Sequence, residues 1–189
     1  MTKQELRKIY KSKRGDIHPK ERLRMDNLLL LRFQEFNYSS VRNLLTYWPI
    51  STQAEPNTHL FSRYLRHIVP GLTIAYPVVD SISIQMSALR INEDTVYQTN
   101  QWGITEPKEG AVLPPEQVDL IFIPLLIFDK QGYRVGYGKG FYDRYLPNCR
   151  EDVVKIGFSY FDPVDEITDR GQFDVPLTYC ITPQQTYEF

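Results

Sequence analysis

Nine consecutive apolar residues, Leu120-Ile-Phe-Ile-Pro-Leu-Leu-Ile-Phe128, read as a buried strand. Just downstream lies a stretch of unusual composition, residues 132–146. Four glycines (Gly132, Gly136, Gly138, Gly140) stand there among the cations Arg134, Lys139 and Arg144 and several aromatics. After Gly140, Phe141, Tyr145 and Leu146 regain helical spacing, with Asp143 in the first turn. A strand, a glycine-rich loop and a helix start, in that order, form an anion site: glycine lets backbone N–H groups converge on an oxyanion. Lys139 and Arg134 would add full charges toward a polyphosphate, and Asp143 could hold a magnesium ion shared with substrate phosphates. The loop is neither a Walker A motif, lacking Gly-Lys-[Ser/Thr], nor a dinucleotide fingerprint, since Phe141 takes the third glycine's place. On pattern alone a phosphate site and an ordinary glycine-rich turn both stay open.

The rest of the chain narrows the class. Its 189 residues suit one domain spanning 1–189, and a hydrophobic fraction of 42% excludes a disordered polar chain. No apolar run approaches the ~18 residues of a membrane span. Residues 1–7 open with charge rather than a signal peptide's apolar segment, so the expected home is cytoplasmic. Cys149 and Cys180 are too few for a disulfide framework. His18, His59 and His67 lack the spacing of zinc ligands. The net charge of −1 hides an asymmetry: residues 1–24 carry nine Lys/Arg against Glu5, Asp16 and Glu21, a net of +6, leaving −7 for the remainder. A basic start admits a nucleic-acid contact, but the acidic remainder argues against one.

Thr2-Lys-Gln-Glu5 is a capping box, so a helix should start at Lys3, with Leu6, Ile9 and Tyr10 as its apolar stripe. Lys3, Arg7, Lys11 and Arg14 share another face. Pro19 should open a second helix to about Phe36, buried through Leu23, Leu28 to Leu31, Phe33 and Phe36. A strand over 41–48 ends at Pro49, and Thr58 caps a helix over 59–69. Glu55 follows that strand's C-terminal end, where open α/β sheets bind ligands. Residues 73–76, 83–89 and 95–98 are short and β-prone, the last two read as a hairpin. Trp102 offers a stacking face beside a loop glycine. Strands are expected over 153–160 and 179–182, with Asp174 as a turn residue before Pro176. Strands alternating with helices point to an α/β fold with a mostly parallel central sheet.

Arg134-Val-Gly-Tyr-Gly-Lys-Gly-Phe-Tyr-Asp-Arg144 resembles the signature of the 5-formyltetrahydrofolate cyclo-ligase family. The basic first helix, the Glu after the first strand and the late Asp fall in the family's order, so the resemblance covers the whole chain. It implies a single-domain Rossmann-like three-layer sandwich related to sugar-phosphate isomerases and CoA transferases (NagB/RpiA/CoA transferase-like). It implies ATP- and magnesium-dependent closure of 5-formyltetrahydrofolate, with or without added glutamates, to 5,10-methenyltetrahydrofolate, releasing ADP and phosphate. The protein would act as a monomer without nucleic-acid or membrane partners. Carried over by position, Lys139, Arg134 and Arg7 would be catalytic. ATP would meet Lys3, Gln4, Glu5, Leu6 and Arg7 on the first helix, and Arg134, Val135, Gly136, Tyr137, Gly138, Lys139, Gly140, Phe141 and Tyr142 on the loop. The folate would meet Ile50, Glu55, Trp102, Tyr137, Gly138, Lys139, Gly140 and Phe141, and magnesium Asp143 and Asp174. Two departures stand out: Phe141 replaces a frequent Tyr, and Phe173 stands where a His is common. A phosphosugar isomerase or acyl-CoA transferase could use the same loop without ATP.

Overall fold

The computed structural model describes residues 1–80 and 82–189. Both halves of the capping box form at Thr2 and Glu5, and helix α1 (Lys3–Gly15) follows. Pro19, at the first helical position of α2 (Pro19–Phe33), gives up no hydrogen bond there. The chain continues through β1 (Asn43–Leu45), α3 (Thr58–Ile68), β2 (Thr73–Val79), β3 (Met86–Arg90), β4 (Tyr97–Thr99), β5 (Thr105–Pro107) and β6 (Val112–Leu113). Then come β7 (Leu120–Ile123), β8 (Ile127–Phe128), β9 (Arg134–Val135), the short helix α4 (Phe141–Tyr145), β10 (Val154–Phe158), β11 (Tyr179–Ile181) and β12 (Thr186–Glu188).

Eight strands make the main sheet, in the order β12-β11-β10-β7-β1-β2-β3-β6. The five central strands, β11 to β2 in that order, run parallel; β12, β3 and β6 pair antiparallel at the margins. Taken in chain order, the parallel strands β1, β2, β7, β10 and β11 lie as 2-1-3-4-5, so the winding reverses between β1 and β7.

β7 shows why its sequence lacks alternation. Leu120 and Phe122 enter an aromatic cluster beneath α2 and α3, with Phe33, Phe61 and Phe158; Ile121 and Ile123 enter the opposite cluster with Leu125, Tyr145, Leu177 and Cys180. A strand covered on both faces is apolar throughout. Phe61 and Phe158 stack with ring centroids 4.0 Å apart. Gly157, next to Phe158 in β10, points to the other face, where a Cβ would lie 2.5 Å from the Leu125 side chain and 2.9 Å from that of Leu177. At the N-terminal edge of the sheet, Asp119 accepts from the N–H groups of Arg42 (2.9 Å) and Asn43 (2.8 Å) and from Arg150 (3.0 Å), tying the entrance of β7 to that of β1.

Several expectations are corrected. The apolar run is not one strand: β7 stops before Pro124, which cannot donate to a ladder, and β8 pairs with β9 in a separate ribbon. Leu23 and Leu31 are exposed and α2 ends at Phe33; its inward positions are Asp26, Leu29 and Phe33, one helical stripe that includes a carboxylate. The hairpin joins β2 to β3, while β4 pairs with β5 of the Trp102 segment. Thr58 is the first residue of α3 rather than its cap, its hydroxyl donating to the Tyr47 carbonyl at 2.6 Å. The terminal strand β12 was not anticipated. Cys149 and Cys180 are free thiols. Among the described residues no helix is long and apolar enough to cross a membrane.

Candidate active site

The reversal between β1 and β7 opens a crevice beyond their C-terminal ends, where doubly wound sheets hold ligands. A cavity of about 340 Å³ lies there, walled by Tyr47, Trp48, Ile50 and Glu55 after β1 and by Pro124 after β7. The β2–β3 hairpin adds Pro77, Val79 and Met86; the β4–β5 connection adds Trp102 and leads to Ile104. Helix α1 closes the remaining side with Lys3, Arg7 and Lys11, each one turn beyond the last.

The glycine-rich loop lies along this wall. Backbone N–H groups of 136–142 have no hydrogen-bond partner among the described residues, so a row of donors is left for a ligand. Gly138 is required by geometry: its φ is +90°, and an added Cβ would sit 3.3 Å from the Arg7 guanidinium. Arg7 Nε in turn donates to the Gly136 carbonyl at 2.9 Å, fastening α1 to the loop. The Tyr142 hydroxyl is buried and also without a partner among the described residues.

Charges are arranged in pairs. Lys3 meets Asp174 at 2.5 Å, and Arg134 meets Asp143 at 2.8 Å. Val175 joins the pairs, its carbonyl accepting from Arg134 (2.6 Å) and its N–H donating to Asp143 (3.4 Å). Lys139 has no ion pair among the described residues; its ammonium lies 5.7 Å from the Trp102 ring centroid, and Trp102 packs on Phe141. Asp143 engages its neighbours through Oδ1 alone and Asp174 through Oδ2 alone, leaving one oxygen of each carboxylate over. Two cavity carboxylates with spare oxygens suit magnesium, which takes one or two carboxylates and completes its shell with water and phosphate. Among the described residues no cluster of three or more metal-ligating side chains forms.

Glu55 is 8% exposed and sits beside the loop. Its Oε2 accepts from the Ile50 N–H at 2.6 Å and its Oε1 from the Tyr137 hydroxyl at 2.5 Å. That hydroxyl accepts from Arg14, whose other terminal nitrogen donates to the Leu125 carbonyl at 3.0 Å. Burial pushes the Glu55 carboxyl above its ordinary value, while the bonds from Ile50 and Tyr137 and the charge of Arg14 pull it back. Burial, then the Glu55 charge, raises the Tyr137 hydroxyl far beyond its usual range, so it stays a neutral donor.

Of the residues singled out from sequence, Lys3, Arg7, Ile50, Glu55, Trp102, Arg134, Gly136, Tyr137, Gly138, Lys139, Gly140, Phe141, Tyr142, Asp143 and Asp174 line the one cavity. Gln4, Glu5, Leu6 and Val135 do not. Leu6 and Val135 are packed in a small core with Ile127 and Ile167, Glu5 is spent on the capping box, and Gln4 is exposed off the cavity-facing stripe of α1. Tyr47, Trp48, Gln53, Pro77, Val79, Met86, Ile104 and Pro124 were missed; the 2-1-3-4-5 winding would have pointed to Tyr47, Trp48 and Pro124.

Fold and cavity together define the class, an open α/β enzyme with an amphipathic small-molecule site at its switch point. Known proteins make the assignment specific. The model of the 5-formyltetrahydrofolate cyclo-ligase family matches residues 1–183. A 5-formyltetrahydrofolate cyclo-ligase of Haemophilus influenzae is 42% identical over 92 residues, which span 47% of this chain and about half (49%) of that protein. One from Mycoplasma genitalium is 27% identical over 94% of this chain and 97% of its own length. The solution structure of Aquifex aeolicus 5,10-methenyltetrahydrofolate synthetase superposes with a TM-score of 0.81 at 29% identity, covering 100% of this chain and 93% of that one. The chain belongs to the 5-formyltetrahydrofolate cyclo-ligase family.

Proposed function

We propose that the chain, acting as one domain over residues 1–189 and as a monomer, closes 5-formyltetrahydrofolate to 5,10-methenyltetrahydrofolate using ATP and magnesium. One observation carries this reading: loop residues whose amides have no partner among the described residues, and the cations Arg7 and Lys139, line the same cavity as the buried carboxylate Glu55 and the rings of Trp48, Trp102 and Phe141. The first set suits a polyphosphate and the second a flat, N–H-rich pterin. Folate as substrate agrees with the names of the relatives.

A formyl oxygen is a poor leaving group until it is phosphorylated. It attacks the γ-phosphorus, the bond to the bridging oxygen breaks, and ADP leaves. Nitrogen 10 adds to the activated carbon and loses its proton to solvent. The carbon–oxygen bond then breaks with phosphate, leaving the cationic methenyl ring. No protein nucleophile is needed; positioning and charge stabilisation supply the rate. Lys139, without an ion pair among the described residues, follows the charge on the transferring phosphoryl. Arg134 is held through both terminal nitrogens, by Val175 and Asp143, so it fixes the loop and one carboxylate while its charge acts at short range. Glu55 accepts from pterin N–H groups, and Trp102 and Phe141 cover the ring. Asp143 and Asp174 would hold magnesium, which when bound neutralises phosphate oxygens.

Absorbance of purified protein tests the proposal. Methenyltetrahydrofolate should accumulate from the 5-formyl compound only when both ATP and magnesium are present. Turnover without ATP, or none with every component added, would refute it.

A further inference from the structure

Arg14 stands apart from the cations that line the cavity. It is 2% exposed, absent from the cavity wall, and held between the Leu125 carbonyl after β7 and the Tyr137 hydroxyl. A phenol carries one proton. Because Arg14 donates to the Tyr137 oxygen, that proton is left for Glu55, and the order Arg14 to Tyr137 to Glu55 has a single direction. The chain spans 123 positions between its first two members and 82 between its last two, so tertiary structure alone assembles it.

We propose that Arg14 is a positioning residue for folate recognition: through the Tyr137 hydroxyl it holds the Glu55 carboxylate in the orientation that receives the substrate's pterin N–H groups. The inference rests on the folate reading above and extends it to a residue that cannot touch substrate. The groups around Glu55 fit the role. Tyr47 follows β1, Tyr142 belongs to α4, and Tyr160 after β10 donates to Asp26 of α2 while its hydroxyl stands 3.5 Å from the Glu55 carbonyl. These phenols are neutral, and Asp26 is itself a carboxyl. Among the described residues Arg14 therefore supplies the positive charge that acts on Glu55. Helix α1 then serves two ligands at once, with Lys3 and Arg7 near the loop and Arg14 behind the pterin acceptor.

The test uses the full-length protein with Tyr137→Phe, Arg14→Met and the double variant, reading folate KM, ATP KM and the pH profile of kcat/KM for the folate. Tyr137→Phe should raise folate KM roughly tenfold, the effect of one hydrogen bond to a charged group, with ATP KM unchanged. Without that bond Glu55 takes up a proton more readily, so the acid limb of the profile moves to higher pH. Arg14→Met should do the same. The double variant should have a folate KM no worse than that of Tyr137→Phe alone, because both changes cut one path to the Glu55 orientation, while its acid limb moves further because the Arg14 charge also acts on Glu55 directly. Additive losses in folate KM, or a folate KM and acid limb that Tyr137→Phe leaves unmoved, would overturn the proposal. If Arg14→Met shows no cooperative thermal transition, the acid limb of Tyr137→Phe decides the matter. Wild-type protein inactive on 5-formyltetrahydrofolate would instead sink the folate reading, and this inference with it.

Discussion

Asp119 and Glu55 flank the same gap between β1 and β7, one at each end of the sheet; both accept from backbone N–H, and an arginine supports each, directly at Asp119 and through Tyr137 at Glu55. Asp119 sits where the strands begin. Its Oδ2 is shared by the N–H groups of Arg42 and Asn43, its Oδ1 takes Arg150, and it lies away from the cavity wall. Glu55 sits where the strands end and the chain diverges. Each of its oxygens receives one bond, from Ile50 and Tyr137, and the carboxylate faces the cavity with capacity to spare. The same chemical group thus braces the sheet at one end and faces an open cavity at the other. What separates them is how completely their hydrogen bonds are used, together with how deeply they are buried.

The largest effect that would sharpen this contrast lies at the C-terminal end. Lys139→Ala should lower kcat/KM by about 10² to 10³, as expected when a charge-stabilising donor is removed, and leave thermal stability unchanged. Retained turnover would strip Lys139 of its role.

Glu55→Gln should follow, raising folate KM some ten- to a hundredfold. It should also raise Tm at neutral pH. The folded-state carboxyl lies above its unfolded value, so its contribution favours folding below the unfolded value and is lost as pH rises through the folded one. A neutral amide escapes that loss, and the gain over wild type should vanish in acid. A Tm that drops at pH 7 would place Glu55 with Asp119 as a brace and erase the distinction between the two ends.

Asp119→Ala should show the reverse pattern, a loss of about 1–3 kcal/mol in urea unfolding from the orphaned strand N–H groups, with folate KM unchanged. The smallest effect belongs to Arg150→Ala, which removes an exposed pair and should leave both Tm and turnover within error. A clear fall in stability there would mean that the Asp119 brace depends on its arginine rather than on the strand amides.

Much of the site could be read from the sequence because its parts are local. The capping box fixes where α1 starts, and four-residue spacing then turns Lys3, Arg7 and Lys11 to one side. The strand, loop and helix order around Gly136–Gly138–Gly140 lies within a single contiguous stretch. What escaped depends on distant partners. The pairing of β4 with β5 is a choice among competing ladders that short β-prone runs do not encode; the break at Pro124, by contrast, was written in the sequence, since proline cannot donate to a ladder. Leu23 and Leu31 look like core residues by type, yet the stripe of α2 that meets the sheet is set by Leu29 and Phe33. Arg14 belonged to the cationic face recognised in α1, but its role required knowing that Tyr137 and Glu55 meet.

Gly157 carries this reasoning away from the cavity. A methyl group there presses on the side chain of Leu125, whose carbonyl anchors Arg14. Gly157→Ala would therefore disturb folate handling from the middle of a strand, and a survey that ranks natural variants by distance to the substrate would score it as harmless. If Arg14 positions Glu55 as proposed, position 157 belongs with the working machinery rather than with the filler of the scaffold.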